Sequence, residues 1–395
     1  MIYTDFQGKK LSLLGLGTMR LPLVPGTSQI DEEQTAQMID HAFSMGVNYV
    51  DTAWPYHGGT SEIVVGKLLK KYPRDSYYLA DKYPGHQIFE KYEPAVTLET
   101  QLNKCGVDYF DFYLLHNVCE LSLPVYENPK WGIVDYFVEQ KKLGRIRHLG
   151  ISTHAGAEGL KEIIEKYGEH IEFCQIQLNY LDWTLQDAKA KYEYLTERGI
   201  PVWVMEPVRG GQLARLSEAQ LSKMNDFRPG LTSAEWALRW LQSLPNVQMV
   251  LTGASSMEQI TENAAVFAQR EATTDEETAA LLEIAEGLKN SVPCTGCRYC
   301  VDSCPMGLDI PLLMTLSNEE RFSYSLNIGI RVDSLGDGKR PADCIACGAC
   351  THMCPQKIDI PGEMKRFTEA LKKHPSWAQL CWEREEAARK LKEGK

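Results

Sequence analysis

Cys294-Thr295-Gly296-Cys297-Arg298-Tyr299-Cys300-Val301-Asp302-Ser303-Cys304-Pro305 is answered fifty residues later by Cys344-Ile345-Ala346-Cys347-Gly348-Ala349-Cys350-Thr351-His352-Met353-Cys354-Pro355. Eight of the twelve cysteines stand in these two copies of one spacing, C-x-x-C-x-x-C-x-x-x-C-P. Tight C-x-x-C turns let three thiolates grip three corners of an iron–sulfur cubane, and the last Cys, just before Pro, serves the neighbouring cluster. The spacing therefore predicts one [4Fe–4S] cluster on Cys294, Cys297, Cys300 and Cys354. A second is predicted on Cys344, Cys347, Cys350 and Cys304. Zinc fits worse, because it favours paired C-x-x-C knuckles with four ligands per ion and leaves the third Cys and the Cys-Pro of each run without a role. A disulfide framework fits worse still: the chain opens MIYTDFQGKK, with no apolar signal segment, so a cytoplasmic, reducing setting is expected. The remaining Cys105, Cys119, Cys174 and Cys381 stand alone and read as small buried hydrophobes.

These runs occupy only the C-terminal part of a chain of 395 residues, which is too long for one ordinary domain. Forty-two basic against fifty-three acidic residues leave a net charge of −11, which argues against nucleic acid or an anionic membrane surface as partner. No apolar run reaches the roughly 20 residues that a membrane-spanning helix needs.

Upstream of the cysteines the pattern changes. Eight short apolar runs, at residues 13–17, 47–51, 77–81, 110–116, 146–152, 173–179, 202–206 and 248–252, read as strands. Amphipathic helical patterns fall between them, at 32–45, 61–71, 96–105, 133–142, 157–167, 185–198 and 233–241. Alternation of this kind implies a parallel sheet with right-handed crossovers. Eight repeats in about 250 residues fit a closed (β/α)8 TIM barrel better than a doubly wound sheet, and no G-x-G-x-x-G follows the first strand. Thr274-x-x-Glu277 reads as a capping box opening a helix with Leu281, Ile284, Ala285 and Leu288 on one face. The predicted architecture is α/β: a barrel over 1–290, then a small, mainly α-helical cluster domain over 291–370. A C-terminal helix over 371–395 follows, with Trp377, Leu380, Cys381 and Leu391 along one side.

A (β/α)8 enzyme assembles its active site at the C-terminal ends of its strands. Asp51, Lys82, His116 and the Ser152-Thr153 pair stand at four such ends, and Tyr56 follows in the loop after the second strand. A Lys beside a Tyr hydroxyl is expected to favour the phenolate, and a carboxylate beside the Lys to hold it charged. Tyr can then act as general acid toward a carbonyl oxygen, and His can donate to the same oxygen. Each residue alone reads as structural, an Asp at a strand end for instance as a helix cap; together they read as a site. Tyr83, Trp54, Trp131 and Trp183 either line a pocket there or pack.

Residues 10–270 resemble the aldo/keto reductase superfamily. The resemblance rests on Gly15-Leu16-Gly17-Thr18-Met19-Arg20, Asp51-Thr52-Ala53-Trp54-Pro55-Tyr56, Lys82 and Leu115-His116. It continues in Leu149-Gly150-Ile151-Ser152, Gln175 and Met205-Glu206-Pro207-Val208-Arg209-Gly210-Gly211. It implies a catalytic tetrad of Asp51, Tyr56, Lys82 and His116, and a nicotinamide cofactor, NADP(H) or NAD(H), lying across the barrel mouth. It further implies that Ser152, Thr153 and Gln175 hold the carboxamide and that Met205 takes the place of a stacking ring. Gly17, Thr18, Met19, Asp51, Pro207, Val208, Gly210, Gly253, Ser256 and Asn263 complete the implied cofactor set. Two departures stand out. The family's usual Ser-Asn pair is Ser152-Thr153 here, and residues 252–263 carry no cation for a 2′-phosphate but do carry Glu258 and Glu262. A phosphate without a cationic partner forgoes charge-assisted bonds of about 1.5–3 kcal/mol each. The cysteine region is similar to the α-helical ferredoxin domains of succinate dehydrogenase-type iron–sulfur subunits, and its fusion to the barrel resembles oxidoreductases of anaerobic microbes.

The expected function is an iron–sulfur aldo/keto reductase that acts on a small-molecule carbonyl (aldehyde, ketone or sugar), with a flavoprotein or ferredoxin as redox partner. A hydride carries two electrons together whereas each cluster moves one, and the sequence shows no flavin site to convert between them. The alternatives are a ferredoxin-linked enzyme with little nicotinamide binding and an electron-transfer subunit with the barrel as docking platform.

Overall fold

A computed structural model describes residues 1–87, 91–119, 122–288, 291–322, 326–333, 335–375 and 379. The expected C-terminal helix, with Trp377, Leu380, Cys381 and Leu391, lies outside the described residues. The chain divides into two units, Met1–Ala285 and Glu286–Lys395.

In the first unit, β1 (Tyr3–Phe6) and β2 (Lys9–Ser12) form an antiparallel hairpin. Eight strands then close a parallel barrel: β3 (Leu14–Gly17), β4 (Tyr49–Asp51), β5 (Tyr78–Tyr83), β6 (Phe110–Leu115), β7 (Ile146–Thr153), β8 (Cys174–Gln177), β9 (Val202–Met205) and β10 (Val247–Gly253), with β10 returning to β3. All eight expected strands are present, with ends shifted by up to two residues. They are buried along most of their length because the barrel interior covers one face and helices the other. The capping box at Thr274 and Glu277 forms in both directions, at 2.8 and 3.2 Å.

Sequence reasoning missed the hairpin. Its turn, Gln7-Gly8, takes φ of 53° and 78°, the doubly left-handed geometry that suits a two-residue hairpin turn. The hairpin delivers Phe6 into the barrel interior, where its ring meets Trp203 and His148 at 5.1 Å and Phe112 at 5.6 Å. Tyr49, Phe112, Phe173 and Trp203 belong to the same buried cluster. This fills the barrel and leaves the C-terminal ends of the strands for chemistry. Two of the sequence's candidate pocket aromatics are packing residues: Tyr83 is 1% exposed and lies against Phe137 at 5.0 Å, and Trp183 meets Trp240 at 5.3 Å.

The second unit contains the helices Ile310–Phe322, Leu326–Asp333, Ala349–Met353 and Ile360–Leu371. The cysteine repeat is longer than its spacing suggested. Cys304-Pro-Met-Gly-Leu-Asp-Ile-Pro311 matches Cys354-Pro-Gln-Lys-Ile-Asp-Ile-Pro361, and Asp309 and Asp359 each cap the helix that follows, accepting from Leu312 and Gly362 N–H groups. Backbone geometry repeats too. Left-handed φ recurs at Gly296 and Ala346 (68° and 55°), Arg298 and Gly348 (68° and 79°), and Gly307 and Lys357 (58° and 52°). In each pair one run places Gly and the other a side chain. The turn is thus imposed by the cysteine spacing rather than by glycine's freedom, since a non-Gly residue there costs about 1–2 kcal/mol.

Candidate functional site

β4 ends in Asp51, 3% exposed, and β5 supplies Lys82, 1% exposed, one residue inside the strand rather than beyond it. Lys82 Nζ donates to Asp51 Oδ1 and, at 2.8 Å, to the Thr52 carbonyl. The loop after β4 brings Tyr56 to the same place, with Lys82 Nζ 5.1 Å from its ring centroid. His116, the first residue past β6, meets the Tyr56 ring edge-on at 6.2 Å. Neighbouring parallel strands bring these four residues together, because each strand delivers its next residue to the same rim.

Burial pushes the Tyr56 phenol well above its ordinary value, and the carboxylates of Asp51, Glu206 and Asp81 add to this against Arg20. The expectation that Lys82 lowers the Tyr56 pKa is therefore corrected. The ammonium lies over the ring, and Asp51 takes up its charge. Burial also raises Asp51, against the pull of Lys82. His116 is driven far below its ordinary value by burial and then by His86, Lys82 and His154. Tyr56 and His116 both stay uncharged over the ordinary pH range.

His86 and His154 were not singled out from the sequence. The His86 ring lies edge-on to His116 at 4.4 Å. Burial brings both His86 and His154 down to about 4. Adjacent strands β5, β6 and β7 thus each place a histidine just past their ends. Position after a strand end was the available signal. Arg20 and Glu206, within the quoted motifs, form an ion pair at 3.6 Å.

The implied cofactor residues divide into two groups. Gln175 is 3% exposed and its side-chain oxygen is buried with no partner among the described residues, so it fits an amide donor. Ser152 accepts from the Asn117 N–H at 2.9 Å, which leaves its own proton to give. Gly17, Met19, Met205, Val208 and Asn263 are partly exposed, and Gly210 and Gly253 are exposed. The other hydroxyls serve the fold. Thr18 donates to the Asp51 carbonyl at 2.9 Å, and Thr153 donates to the Val118 carbonyl at 2.6 Å while accepting from Ala155. Ser256 caps the helix Met257–Val266, and Pro207 is buried.

In the second unit the eight cysteines separate into two cavities. Cys294, Cys297, Cys300 and Cys354 line one, and Cys304, Cys344, Cys347 and Cys350 line the other. Each set crosses the two runs as the spacing requires. Ile310 and Ile360 form walls of both cavities. Four thiols set in a largely apolar wall fit the C-x-x-C-x-x-C ligation of an iron–sulfur cubane. Cys105 and Cys174 are buried and Cys119 is partly so; Cys381 is outside the described residues.

Comparison with known proteins agrees with this division. The family description "Aldo/keto reductase family" matches residues 13–286, and "4Fe-4S dicluster domain" matches residues 293–359. The chain is 26% identical over 323 residues to a protein of Escherichia coli named NADH-specific methylglyoxal reductase, covering 71% of this chain and 96% of that one. It is 27% identical over 319 residues to L-galactose dehydrogenase of Arabidopsis thaliana, covering 72% and 93%. Among solved structures, a holo-form aldo-keto reductase of Bacillus halodurans superposes with a TM-score of 0.58 at 25% identity, covering 72% and 96%. A Klebsiella pneumoniae aldo-keto reductase in complex with NADPH shares the fold, with a TM-score of 0.59 at 23% identity over 72% and 96%. No helix among the described residues is long and apolar enough to cross a membrane. An eight-stranded parallel barrel with this rim, matched over 13–286, places the chain in the aldo/keto reductase family, and a 4Fe-4S dicluster domain follows it.

Proposed function

We propose that the barrel reduces a small-molecule carbonyl with a nicotinamide cofactor, and that NADH is preferred. The observation that carries this reading is the convergence of Tyr56, Lys82 and His116, with Asp51 bonded to Lys82. When bound, the nicotinamide supplies a hydride to the carbonyl carbon. Tyr56, kept protonated by burial, gives its proton to the carbonyl oxygen, so that aldehyde or ketone plus hydride plus proton yields the alcohol. Neutral His116 donates an N–H to the same oxygen and orients it. Lys82, fixed by Asp51 and the Thr52 carbonyl, lies over the Tyr56 ring and holds it at the mouth. Ser152 and Gln175 hold the carboxamide; Thr153, whose proton is committed to Val118, offers it only a lone pair.

The preference for NADH rests on Glu258. At the N-terminus of the helix Met257–Val266, where a 2′-phosphate would meet N–H groups, the first turn presents the Glu258 carboxylate and no cation. Its own backbone N–H and the Ser256 hydroxyl hold it below its ordinary value. A dianion would meet like charge there. The name of the Escherichia coli relative, NADH-specific methylglyoxal reductase, points the same way. In the second unit, Cys294, Cys297, Cys300 and Cys354 would hold one [4Fe–4S] cluster and Cys304, Cys344, Cys347 and Cys350 the other. These would supply one-electron carriage, with a flavoprotein or ferredoxin as partner.

Anaerobic titration with NADH and NADPH, read by nicotinamide fluorescence and cluster absorbance, tests the reading. NADH is expected to bind more tightly, and binding of neither would overturn the assignment and favour the electron-transfer alternative. Tyr56→Phe is expected to lower kcat for methylglyoxal by about 10²–10⁴-fold, the range for a positioned general acid, with NADH affinity unchanged. Unaltered turnover would refute Tyr56 as the acid.

A further inference from the structure

Lys104 lies on the helix Pro94–Cys105, outside the four residues at the barrel rim, yet it touches the loop that carries Tyr56 in two places. Its Nζ lies 4.1 Å from the Trp54 ring centroid and donates to the Gly59 carbonyl at 3.4 Å. Trp54 and Gly59 bracket Tyr56 in sequence. The third contact of Nζ is Glu62 Oε2 at 2.7 Å. Glu62 is fully buried and also accepts from Gln101 Nε2 at 3.1 Å.

Packing fixes this placement. A Cβ at Gly66 would lie within 2.5 Å of the Cys105 backbone, so the helix Ser61–Leu69 presses directly against the helix bearing Lys104. That contact sets Lys104 beside Glu62 and beneath the Tyr56 loop. The loop needs such a tie. Residues His57, Gly58 and Gly59 run left-handed in succession, with φ of 51°, 63° and 86°, a course an L-residue such as His57 resists. On its other side the loop is anchored by His57 Nε2, which accepts from the Leu21 N–H at 3.2 Å. Tyr56 is carried by this loop, so the course of the backbone from Trp54 to Gly59 sets where its hydroxyl stands.

We propose that Lys104 is a positioning residue for Tyr56: its ammonium, anchored on buried Glu62, grips Trp54 through the ring face and Gly59 through the carbonyl, and so aims the Tyr56 hydroxyl into the mouth. This inference rests on Tyr56 acting as the general acid. The plainer role for Lys104 is to neutralise Glu62, and the two separate cleanly. A Lys104→Met/Glu62→Gln double variant removes the charge and its counter-charge together, and the new amide can still pair with the buried Asp81 beside Glu62. Trp54→Leu removes the ring contact and leaves the ion pair. Lys104→Arg keeps both, since a guanidinium pairs with carboxylates and stacks on aromatic faces.

The full chain would be assayed with NADH and methylglyoxal. The double variant is expected to lose about 10–50-fold in kcat, as a misplaced catalytic group does, with NADH affinity unchanged. Amide hydrogen exchange over residues 53–60 should rise while the rest of the barrel keeps its protection. Lys104→Arg should retain wild-type turnover and exchange, and Trp54→Leu should fall between. A double variant with wild-type kcat and wild-type exchange over 53–60 would overturn the proposal, leaving Lys104 as the partner of Glu62 alone. Exchange rising throughout the barrel would overturn it as well, since the effect would then be general. If instead Tyr56→Phe leaves turnover intact, the reading of the acid fails while the exchange result still reports on the loop.

Discussion

The barrel mouth and the cysteine unit are both shaped to take a cofactor, but they are held together differently. At the mouth, protein fixes protein: Lys82 is bonded to Asp51 and the Thr52 carbonyl, and Asp51's own carbonyl accepts from Thr18. The strands that carry these groups are paired around a closed ring. In the second unit, Cys300 and Cys350 are members of the hydrophobic core, and Cys294, Cys304, Cys344 and Cys354 pack against it. The prospective ligands are part of the core they would stabilise. The first arrangement is preorganised and would let the proposed nicotinamide come and go. The second ties folding to a resident group, because ligand binding and core formation use the same side chains.

The largest expected effect breaks this comparison open. Stripping iron and sulfide with a chelator under oxidising conditions should abolish protection from amide exchange in residues 291–375. Protection in residues 1–285 should stay at its wild-type level. Exchange mass spectrometry on the full chain reads both units at once. If the cysteine unit keeps its protection after iron is gone, its core stands without clusters and the contrast is wrong.

The same contrast explains what the sequence revealed. The cysteine runs were legible at once because their spacing is local in the chain, and four of the eight thiols line each of two pockets. The eight barrel strands were legible because burial on both faces writes apolar runs into the chain. The hairpin Tyr3–Phe6/Lys9–Ser12 was hidden, since its strands are four residues each with a single core ring, Phe6; the Gln7-Gly8 turn was its one local sign. His86 and His154 carried a sign, their place after strand ends, whereas Lys104 carried none. Its role arises from packing between elements distant in sequence, set against Trp54 across fifty residues. The pKa of Tyr56 was misjudged for the same cause: the partner that takes up the Lys82 charge could be guessed, but the depth of burial could not.

A smaller effect sharpens the comparison within single ion pairs. Lys82→Met strands Asp51 without its partner at 3% exposure, and removing one member of a buried pair costs about 3–5 kcal/mol. Arg298→Gln in the cysteine unit breaks the pair with Asp309, whose side chains are 57% and 40% exposed; exposed pairs contribute about 0–1 kcal/mol. Guanidinium denaturation of each variant should show the barrel transition moving far more than the transition of the second unit. Equal shifts would mean that Lys82 and Asp51 are less isolated from water than their burial implies.

The smallest effect is a difference in acid sensitivity. His86 and His154 are both depressed to about 4 by burial, from an unfolded value near 6.5. Between those values the unfolded chain binds protons that the folded barrel refuses, so stability rises with pH across the window. It is complete above about 6.5 and is lost progressively as pH falls toward 4. Lys191 and His86 reinforce the shift at His154, where the Gln177 hydrogen bond opposes it, and at His86 a backbone hydrogen bond at His116 opposes it. Glu363 in the cysteine unit runs the other way. Burial would raise it, but Arg321, Ser317 and Arg366 hold it below its ordinary value, so its contribution persists through this window and disappears only at lower pH. The barrel's denaturation midpoint should therefore drop between pH 7.5 and 5. A His154→Gln variant should flatten the dependence by removing one of the depressed histidines, which also include His86, His116 and His57. A slope unchanged by His154→Gln would mean that the imidazole is charged in the folded barrel, and that the rim is wetter than its packing indicates.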